Sequence, residues 1–433
     1  MLQTFKNAWK IPDLRKKMLF TIFIVIIYRL GAQIPVPFID HARLELYFKA
    51  GSAGNFFAYI NILSGDAFSH ATLFALSVSP YITAQIIMQL LSIAIPALER
   101  ISKDGEEGRR KINQITRYVT IGIGVVTGLG YYLYLKNAGF IVSQDVPSGF
   151  AAVVVVACYV AGSALIMWIA ERINERGIGN GISVILFANI LSSLPGFLIN
   201  LFTTMFNGTA SGAIHGAVVI VIGLALLVFI VFMSESERRL PVQYAKKVVG
   251  RKMYGGQSTN LPIKVNMSGV MPIIFANSIL SLPSTIAALF ANPEEGTFWY
   301  NFLNFLSHDS WFYIVINVIL IIAFSYFYIA ISFNPVEVSN NLKKNGGFIL
   351  GIRPGKPTAD YITKVLNKII LIGAIMLCVV AVLPLIINKF STYSEASLAF
   401  GGSSIIIVVG VAIELARAVE AEMTMRHYKG FLE

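Results

Sequence analysis

Charged residues and cysteines are both scarce in this sequence. Only 13% of the 433 residues are charged and 56% are hydrophobic, whereas an ordinary soluble domain has about 25% charged residues. The two cysteines, Cys158 and Cys378, fall inside long apolar runs. We expect free thiols that pack as small hydrophobic side chains, and no disulfide. So little charge excludes an ordinary soluble domain and indicates a chain that lies in lipid.

Residue groupings that support catalysis or metal binding are also lacking. The five histidines are scattered, without a partner at metal-ligand spacing, so we expect no metal ion and no cofactor. The sequence shows neither a Ser-His-Asp grouping nor paired carboxylates that would indicate catalysis. The nearest match to a phosphate-binding loop, Gly351 to Lys356, has Leu350 and Pro357 where that motif needs glycine and serine or threonine. We expect a protein that is not an enzyme and that draws any energy from outside.

Long apolar runs are what the chain has in abundance. A membrane helix needs about 20 mostly apolar residues and a membrane strand about 10 alternating ones, so these runs predict helices. The prediction is an all-α polytopic membrane protein with ten transmembrane helices. The predicted spans lie near Met18 to Val36, Leu73 to Leu98, Tyr118 to Leu135, Gly149 to Ala170, Gly181 to Phe206, Ala213 to Met233, Met267 to Phe290, Trp311 to Phe333, Val365 to Ile387 and Ser397 to Leu415.

Lysine and arginine are distributed unequally between the two faces that this topology creates. With ten spans, 29 of the 34 basic residues lie on one face and four on the other, and Arg29 lies in the first span. A missed or invented helix would scramble this count, so the asymmetry supports the assignment of spans. By the positive-inside rule the basic face is cytoplasmic, and both termini lie there.

Two loops on the basic face are much longer than a connection needs. Residues 234–266 and 334–361 each run roughly 30 residues, against a median connection of about 5. Both loops mix aromatic residues, glycine and proline with their charges, which indicates ordered hairpins that present basic side chains to a partner. The basic residues of the short loop from Arg172 to Arg176 need no role beyond setting the membrane topology. No module that reads DNA sequence is present, although ribosomal RNA at a docked ribosome is compatible with basic loops.

Ionisable residues near the bilayer midplane are almost lacking, and Arg29 is the only charge well inside a predicted span. Pumps and ion-coupled carriers need such groups, so a secondary transporter for a small solute is disfavoured. Two further alternatives are a YidC-type insertase, which has about half as many spans, and a polytopic lipid enzyme, which needs a polar catalytic cluster.

The segment 55–70 is moderately apolar, too polar to span, and interrupted by Ser64, Gly65 and Asp66. It is either an amphipathic helix on the outer surface or a re-entrant helix folded back into the protein. Membrane depth permits the second arrangement if the segment is buried against other helices. Broken segments of this kind often mark transport sites.

Seven motifs in the expected order resemble those of the SecY family, the central subunit of the bacterial protein-conducting channel, along essentially the whole chain. One departure is that Leu76-Ser77-Val78-Ser79 stands where the family usually has Leu-Gly before Pro-Tyr-Ile. The residues that carry the resemblance are Arg29-Leu30-Gly31 followed by Ile34-Pro35-Val36-Pro37, Pro80-Tyr81-Ile82-Thr83 running to Gln89-Leu90-Leu91, Gly108-Arg109-Arg110-Lys111, Glu175-Arg176-Gly177-Ile178-Gly179-Asn180-Gly181, Gln257-Ser258-Thr259 with Leu261-Pro262-Ile263-Lys264-Val265-Asn266, and Gly351-Ile352-Arg353-Pro354-Gly355.

The resemblance implies an hourglass channel of two pseudo-symmetric, inverted halves of five helices each, at about residues 1–206 and 213–433. A lateral gate between the second and third helices and the seventh and eighth would carry Gln89 and Asn277. Residues 55–70, called the plug segment below, would be a re-entrant plug helix that closes the outer funnel, with Phe56, Phe57, Ile60, Asn61, Ile62, Leu63 and Gly65 in it. The implied pore ring consists of Val78, Ile82, Ile182, Leu186, Ile274 and Ile407.

The resemblance also implies a function and a set of partners. Unfolded secretory polypeptides would pass through the pore across the cytoplasmic (inner) membrane of a bacterium, and transmembrane segments would leave sideways into lipid. Arg251, Lys252 and Arg353 would dock the SecA ATPase or the ribosome, which supply the energy. The other implied partners are SecE and SecG-like small membrane subunits, signal peptides, nascent polypeptides and membrane lipids, with no sequence-specific nucleic acid.

Overall fold

The computed structural model describes residues 2–49, 61, 64–142, 147–207, 210–244, 247–249, 252–254, 258–289, 297, 302, 305–306, 310–390 and 402–429. Within these residues the helices are α1 (Leu2–Lys10), α2 (Pro12–Gly31), α3 (His41–Lys49), α4 (Ser79–Ala94), α5 (Pro96–Lys103), α6 (Gly105–Asn137), α7 (Ser148–Arg176), α8 (Gly181–Asn207), α9 (Ala210–Glu235), α10 (Met271–Leu289), α11 (Trp311–Ser332), α12 (Pro335–Lys344), α13 (Lys356–Phe390) and α14 (Gly402–Lys429).

Each of the ten predicted spans overlaps one of these helices, namely α2, α4, α6 to α11, α13 and α14. Six helices of the described chain are long and apolar enough to cross a membrane, and the bent pair α4 and α5 would make a seventh. The uninterrupted apolar stretch of α10 is shorter, at Met271–Leu280. The count of ten therefore stays a prediction.

The second predicted span, Leu73 to Leu98, is wrong at both ends. Helix α4 begins only at Ser79, with Pro80 in its first turn, a position that suits the fixed φ of proline. It ends at Ala94 because Pro96 lacks an N–H and holds Ile95 in an extended conformation. Helix α5 then leaves at an angle of 106° to α4.

Both long basic loops contribute to one small antiparallel sheet. Strands β1 (Glu237–Tyr244) and β4 (Ser258–Lys264) come from the first loop and pair with Leu240 opposite Leu261. Strand β5 (Gly347–Ile349) comes from the second loop and pairs with β1, with Val242 opposite Ile349. Strands β2 (Lys247–Val249) and β3 (Lys252–Tyr254) pair beyond it. The predicted ordered hairpin is present in the first loop. The second loop instead contributes helix α12 and one strand to a shared sheet that the all-α prediction omitted.

Contacts between connecting segments agree with the predicted division into two faces. On the basic face, Lys17 forms an ion pair with Glu422, and Arg117 lies 2.8 Å from Glu171. On the opposite face, a backbone hydrogen bond joins the segment after α2 to the segment after α6, from the Asp40 N–H to the Phe140 carbonyl. Each contact joins segments that the charge count places on the same face.

Candidate functional site

All six predicted pore-ring residues belong to, or pack against, the largest apolar cluster of the described chain. Each of the four buried residues is no more than 8% exposed; they are Val78, Ile182, Leu186 and Ile407. The two partly buried residues are Ile82 and Ile274. The structure therefore brings together side chains that lie more than three hundred residues apart in sequence.

Four helices position these side chains near their first turns. Val78 directly precedes α4, with Ile82 one turn later, and Ile182 and Leu186 are one turn apart at the start of α8. A spacing of four places each pair on one helix face. Valine and isoleucine are stiff at χ1, which would keep the predicted ring well shaped. A narrow ring of this kind can block water and ions by dewetting.

The described part of the plug segment consists of residues 61 and 64–70. Residues 65–70 form turns and not the predicted helix. Of the predicted plug residues, Asn61 and Gly65 are described. Those that lie outside the described residues are Phe56, Phe57, Ile60, Ile62 and Leu63.

Polar side chains hold the turns of the plug segment together. The Asn61 side chain donates to the Asp66 carboxylate at 3.0 Å and accepts from the Ser69 N–H at 2.8 Å. The Ser64 hydroxyl donates to the Asn61 carbonyl at 2.9 Å. Burial raises the pKa of the Asp66 carboxyl, while His70 and Arg29 act in the opposite direction.

The described part of the plug segment packs against α6 and shares the apolar cluster that contains the predicted pore ring. Ala67 is buried in the same apolar cluster as the ring. Phe68 stacks on Tyr131 of α6 with 4.2 Å between ring centroids, and the Tyr131 hydroxyl donates to the Phe68 carbonyl at 2.6 Å. These contacts fix the position of residues 67 and 68 relative to α6.

Arg29, the lone charge in the first predicted span, contacts the plug segment directly. One guanidinium nitrogen is 3.3 Å from the Gly65 carbonyl oxygen and 3.4 Å from the Asn189 side-chain oxygen on α8. We call Arg29, Ser77 and Asn189 the plug seat. Sequence reasoning assigned Arg29 no role, although an ionisable residue inside a span is by itself a signal of a functional position.

A hydrogen bond to Ser77 accounts for the departure from the family motif before α4. Its φ is +51°, a left-handed conformation that glycine adopts more easily than serine. The buried Asn189 side chain donates to the Ser77 hydroxyl at 3.1 Å. Serine at this position thus forms a buried hydrogen bond to α8, although its backbone is held in a strained conformation.

The two predicted lateral-gate residues lie on helices that share a neighbour. Gln89 is on α4 and Asn277 is on α10, and both helices pack against α6. Both side chains are partly buried. Ser92 donates its hydroxyl to the Gln89 carbonyl at 2.8 Å.

Arg353 is exposed on a turn whose backbone is fixed from both sides. Thr358 donates its hydroxyl to the Arg353 carbonyl at 2.8 Å, and Ser339 of α12 donates to the Gly355 carbonyl at 2.7 Å. Gly351 and Gly355 have φ values of +79° and +104°, which favour glycine. The turn therefore presents the guanidinium from a rigid base.

Further basic side chains are exposed around the shared sheet, and together with Arg353 we call them the predicted docking face. They are Arg238, Lys343, Lys344 and Lys356. Lys252 is the first residue of β3, and Arg251 lies outside the described residues. At the base of the face, partial burial and the nearby Arg417 lower the pKa of Lys264. Within the described chain, no three His, Cys, Asp or Glu residues group as metal ligands.

Comparison with known proteins identifies the family. The SecY family model matches residues 72–416. The chain is 42% identical over 443 residues to the protein translocase subunit SecY of Streptomyces galbus, and the match covers 100% of both chains. It is 40% identical over 447 residues to the subunit of the same name from Mycobacterium tuberculosis, again with full coverage of both. The chain belongs to the SecY family.

Solved structures agree at the level of the fold. One described as the structure of a protein conducting channel has a TM-score of 0.66 at 16% identity, covering 94% of this chain and 92% of that one. Canine Sec61 in a ribosome-channel complex has a TM-score of 0.64 at 15% identity with the same coverage. The predicted polytopic helical membrane fold is confirmed.

Membership in the SecY family also decides between the alternatives. The relatives are named for protein translocation and not for a chemical reaction, which confirms that the chain is not an enzyme. The small-solute transporter, the YidC-type insertase and the lipid enzyme are excluded. The resemblance read from seven motifs is confirmed.

Proposed function

We propose that this chain is the pore-forming subunit of a bacterial translocase that moves unfolded secretory polypeptides across the cytoplasmic membrane. A protein translocation channel is the function of its family. The observation that supports the finer proposal is the convergence of six bulky apolar side chains from four helices on one apolar cluster, to which Ala67 of the plug segment also belongs. A ring of apolar groups fits around an extended polypeptide without binding any one sequence.

In the closed channel, the ring and the plug segment act as two seals in series. The ring excludes water by dewetting. The plug segment is kept in place by packing at Ala67 and Phe68 and by the plug seat. One related solved structure is described as showing that the plug domain of the SecY protein stabilises the closed state of the translocation channel and maintains a membrane seal. A translocating chain would displace the segment and occupy the ring.

Sideways release into lipid would take place where α4 and α6 face α10 and α11. The packing of α10 against α6 is a contact between the two predicted halves, residues 1–206 and 213–433. Gln89 and Asn277 on these helices are polar groups that weaken an otherwise apolar seam. The alternative is that each polar group forms an ordinary interhelical hydrogen bond, which is worth about 1 kcal/mol in membranes.

The docking face would receive the energy source on the cytoplasmic side, where both termini also lie. Arg353, with the predicted Arg251 and Lys252, would bind the SecA ATPase or the ribosome; solved relatives include ribosome-bound Sec61 and Ssh1 complexes. A guanidinium binds carboxylates and phosphates through two parallel hydrogen bonds. Small SecE and SecG-like subunits, signal peptides, nascent chains and membrane lipids complete the proposed set of partners.

Reconstitution tests the proposal. Vesicles that contain this protein and a SecE subunit should protect a secretory polypeptide from external protease only when SecA and ATP are present. Arg353→Glu should reduce motor-driven protection at least about tenfold, because it reverses a charge that is presented for bidentate capture. Lys356→Glu, a charge reversal at a neighbouring exposed position, should have a smaller effect. Wild-type export by Arg353→Glu would contradict the role of this arginine, and failure of the unmodified protein would contradict the function.

A further inference from the structure

Glu414 is an acidic residue at the end of the tenth predicted span, Ser397 to Leu415. It lies within α14, and its side chain is exposed. Among the residues that the structure describes, no side chain forms a hydrogen bond or an ion pair with the Glu414 carboxylate. Ionisable groups inside membrane spans are costly and usually serve a function, so a carboxylate without a counter-ion requires an explanation.

The Glu414 side chain lies on the helix face that carries Ile407 of the predicted pore ring. The two positions differ by seven residues, which is close to two full turns and about 10 Å along the helix axis. Gly410 is three residues from Ile407 and four from Glu414, so it belongs to the same face. A Cβ added to Gly410 would lie 3.0 Å from a methyl carbon of Val270, which directly precedes α10. Glu414 is thus one turn beyond this contact, toward the basic face.

The exposure of Glu414 is local, because α14 is otherwise well covered. The helix packs against α1, α8, α9 and α13. The flanking residues Ile413 and Ala416 are buried, and so is Ile407 two turns earlier. An exposed position on the Ile407 face therefore marks an opening in the packing, on the side of the predicted ring that faces the basic end of α14.

The nearest basic side chain on α14 is already engaged elsewhere. One guanidinium nitrogen of Arg417 is 3.0 Å from the Ser234 carbonyl oxygen and 3.4 Å from a carboxylate oxygen of Glu235. Arg417 is therefore held against the end of α9, one turn away from Glu414. The Glu414 carboxylate is left to attract a positive charge that the described chain does not supply.

We propose that Glu414 binds a lysine or arginine of the substrate polypeptide at the basic-face entrance to the predicted pore ring. Basic residues are concentrated on the cytoplasmic side of the apolar segments of membrane proteins. A contact with Glu414 would hold such a residue on this side while the apolar segment that follows it enters the ring. The inference deepens the proposed function and rests on it, since it names the feature of the substrate that the entrance recognises.

The distance between Glu414 and Ile407 sets the position of the basic residue in the substrate. An extended polypeptide covers about 3.3 Å per residue. A separation of about 10 Å therefore corresponds to about three residues between the substrate residue in the ring and the one that contacts Glu414. Exposed ion pairs are weak, so we expect the contact to change affinity by about threefold.

Peptide binding tests the site without reference to transport. The full-length protein with a SecE subunit is placed in nanodiscs of electrically neutral lipids, and a fluorescent signal peptide with two lysines before its apolar segment is titrated against the same peptide with glutamines. We expect the lysine peptide to bind about threefold more tightly, and Glu414→Gln to abolish this difference. Glu420→Gln is the matched control, because Glu420 is exposed on another face of the same helix. A difference that survives in Glu414→Gln, or equal binding of both peptides by the unmodified protein, overturns the proposal.

Carbodiimide crosslinking tests the contact itself, because the reagent joins a carboxylate to a lysine amine that touches it. Stalled secretory chains each carry a single lysine at a different distance from the residue held in the ring. We expect the amide between Glu414 and lysine to be most abundant at a distance of about three residues. Arginine at that position keeps the charge and should give no crosslink. Lysines that crosslink to other carboxylates and never to Glu414 would overturn the proposal.

The possible results separate this inference from the proposed function. Normal motor-driven protection of a secretory polypeptide, with no preference for the lysine peptide, overturns the role of Glu414 alone. Loss of that protection in the unmodified protein, with the lysine preference and its dependence on Glu414 intact, overturns the proposed function and leaves the binding site in place. If Glu414→Gln does not fold, the peptide preference and the crosslinks of the unmodified protein still decide.

Discussion

Replacing Gly65 with alanine should unseat the plug segment. Gly65 has a φ of +63°, and a Cβ added there would lie 2.6 Å from an Arg29 guanidinium nitrogen, 2.8 Å from the Ser192 hydroxyl and 3.0 Å from the Asn189 Cα. The arginine and serine side chains can move away, but the Asn189 backbone belongs to α8. The alanine therefore has to displace Arg29 from the Gly65 carbonyl or move the turn itself.

The size of the effect follows from two contributions. A left-handed conformation costs an L side chain about 1 kcal/mol. Losing the hydrogen bond from a charged donor that is only partly buried costs about 1 kcal/mol more, at the low end for such bonds. Both costs fall on the closed state, so a total of about 2 kcal/mol should lower the ratio of closed to open channels about 30-fold.

Ion leak through vesicles measures this ratio, and Gly139→Ala is the matched control. Gly139 also has a left-handed φ, of +75°, but its added Cβ would meet nothing within 4 Å. It follows α6 and is not part of the plug segment. We expect Gly65→Ala to leak strongly and Gly139→Ala to resemble the wild type. Equal leak in both variants, with normal helix content and thermal stability, would refute the plug seat.

Two further substitutions test the packing around the site. Asn189→Ala should lower the free energy of unfolding by about 2 kcal/mol, because it removes a buried amide that donates to Ser77 and accepts from Arg29. Adding Ser77→Gly should recover about 1 kcal/mol by relieving the left-handed φ. A thermal-melt cycle in detergent in which the second change recovers nothing would contradict this account. Lys264→Gln should raise the melting temperature at neutral pH, because burial and Arg417 lower the pKa of Lys264 and so penalise its charged form in the folded protein. That gain should shrink as pH rises through the lowered pKa of Lys264 and should be gone above the ordinary lysine pKa of about 10.4, and a gain that does not change with pH would contradict this account.

Much of the fold could be predicted because lipid imposes simple rules on sequence. Long apolar runs mark helices, and the charge count assigns each loop to one face of the membrane. The ion pair between Lys17 and Glu422 joins two segments that the count places on the same face. The start of the second span could not be predicted, because it depends on the left-handed φ of Ser77. Serine rarely adopts that conformation, and here its partner Asn189 lies 112 residues away.

The shared sheet and the plug seat were missed for a similar reason. Each loop reads by itself as a basic hairpin, and pairing of β1 with β5 joins residues about one hundred positions apart without a local signal. Arg29 was recognisable as unusual, but its contact with Gly65 depends on how the plug segment folds back. The pore ring itself came from the family motifs, since valine and isoleucine in a membrane helix are more often core or lipid-facing.

Crosslinking of a stalled secretory polypeptide to single cysteines is the most direct test of the central claim, that the six-residue apolar ring is the path of the translocating chain. In a background without Cys158 and Cys378, we place one cysteine at Ile82 or Ile274, and as a control at Phe232 of α9, which is 64% exposed. The account predicts disulfide crosslinks at the two ring positions and none at Phe232. Crosslinks at Phe232 with none at either ring position would contradict it.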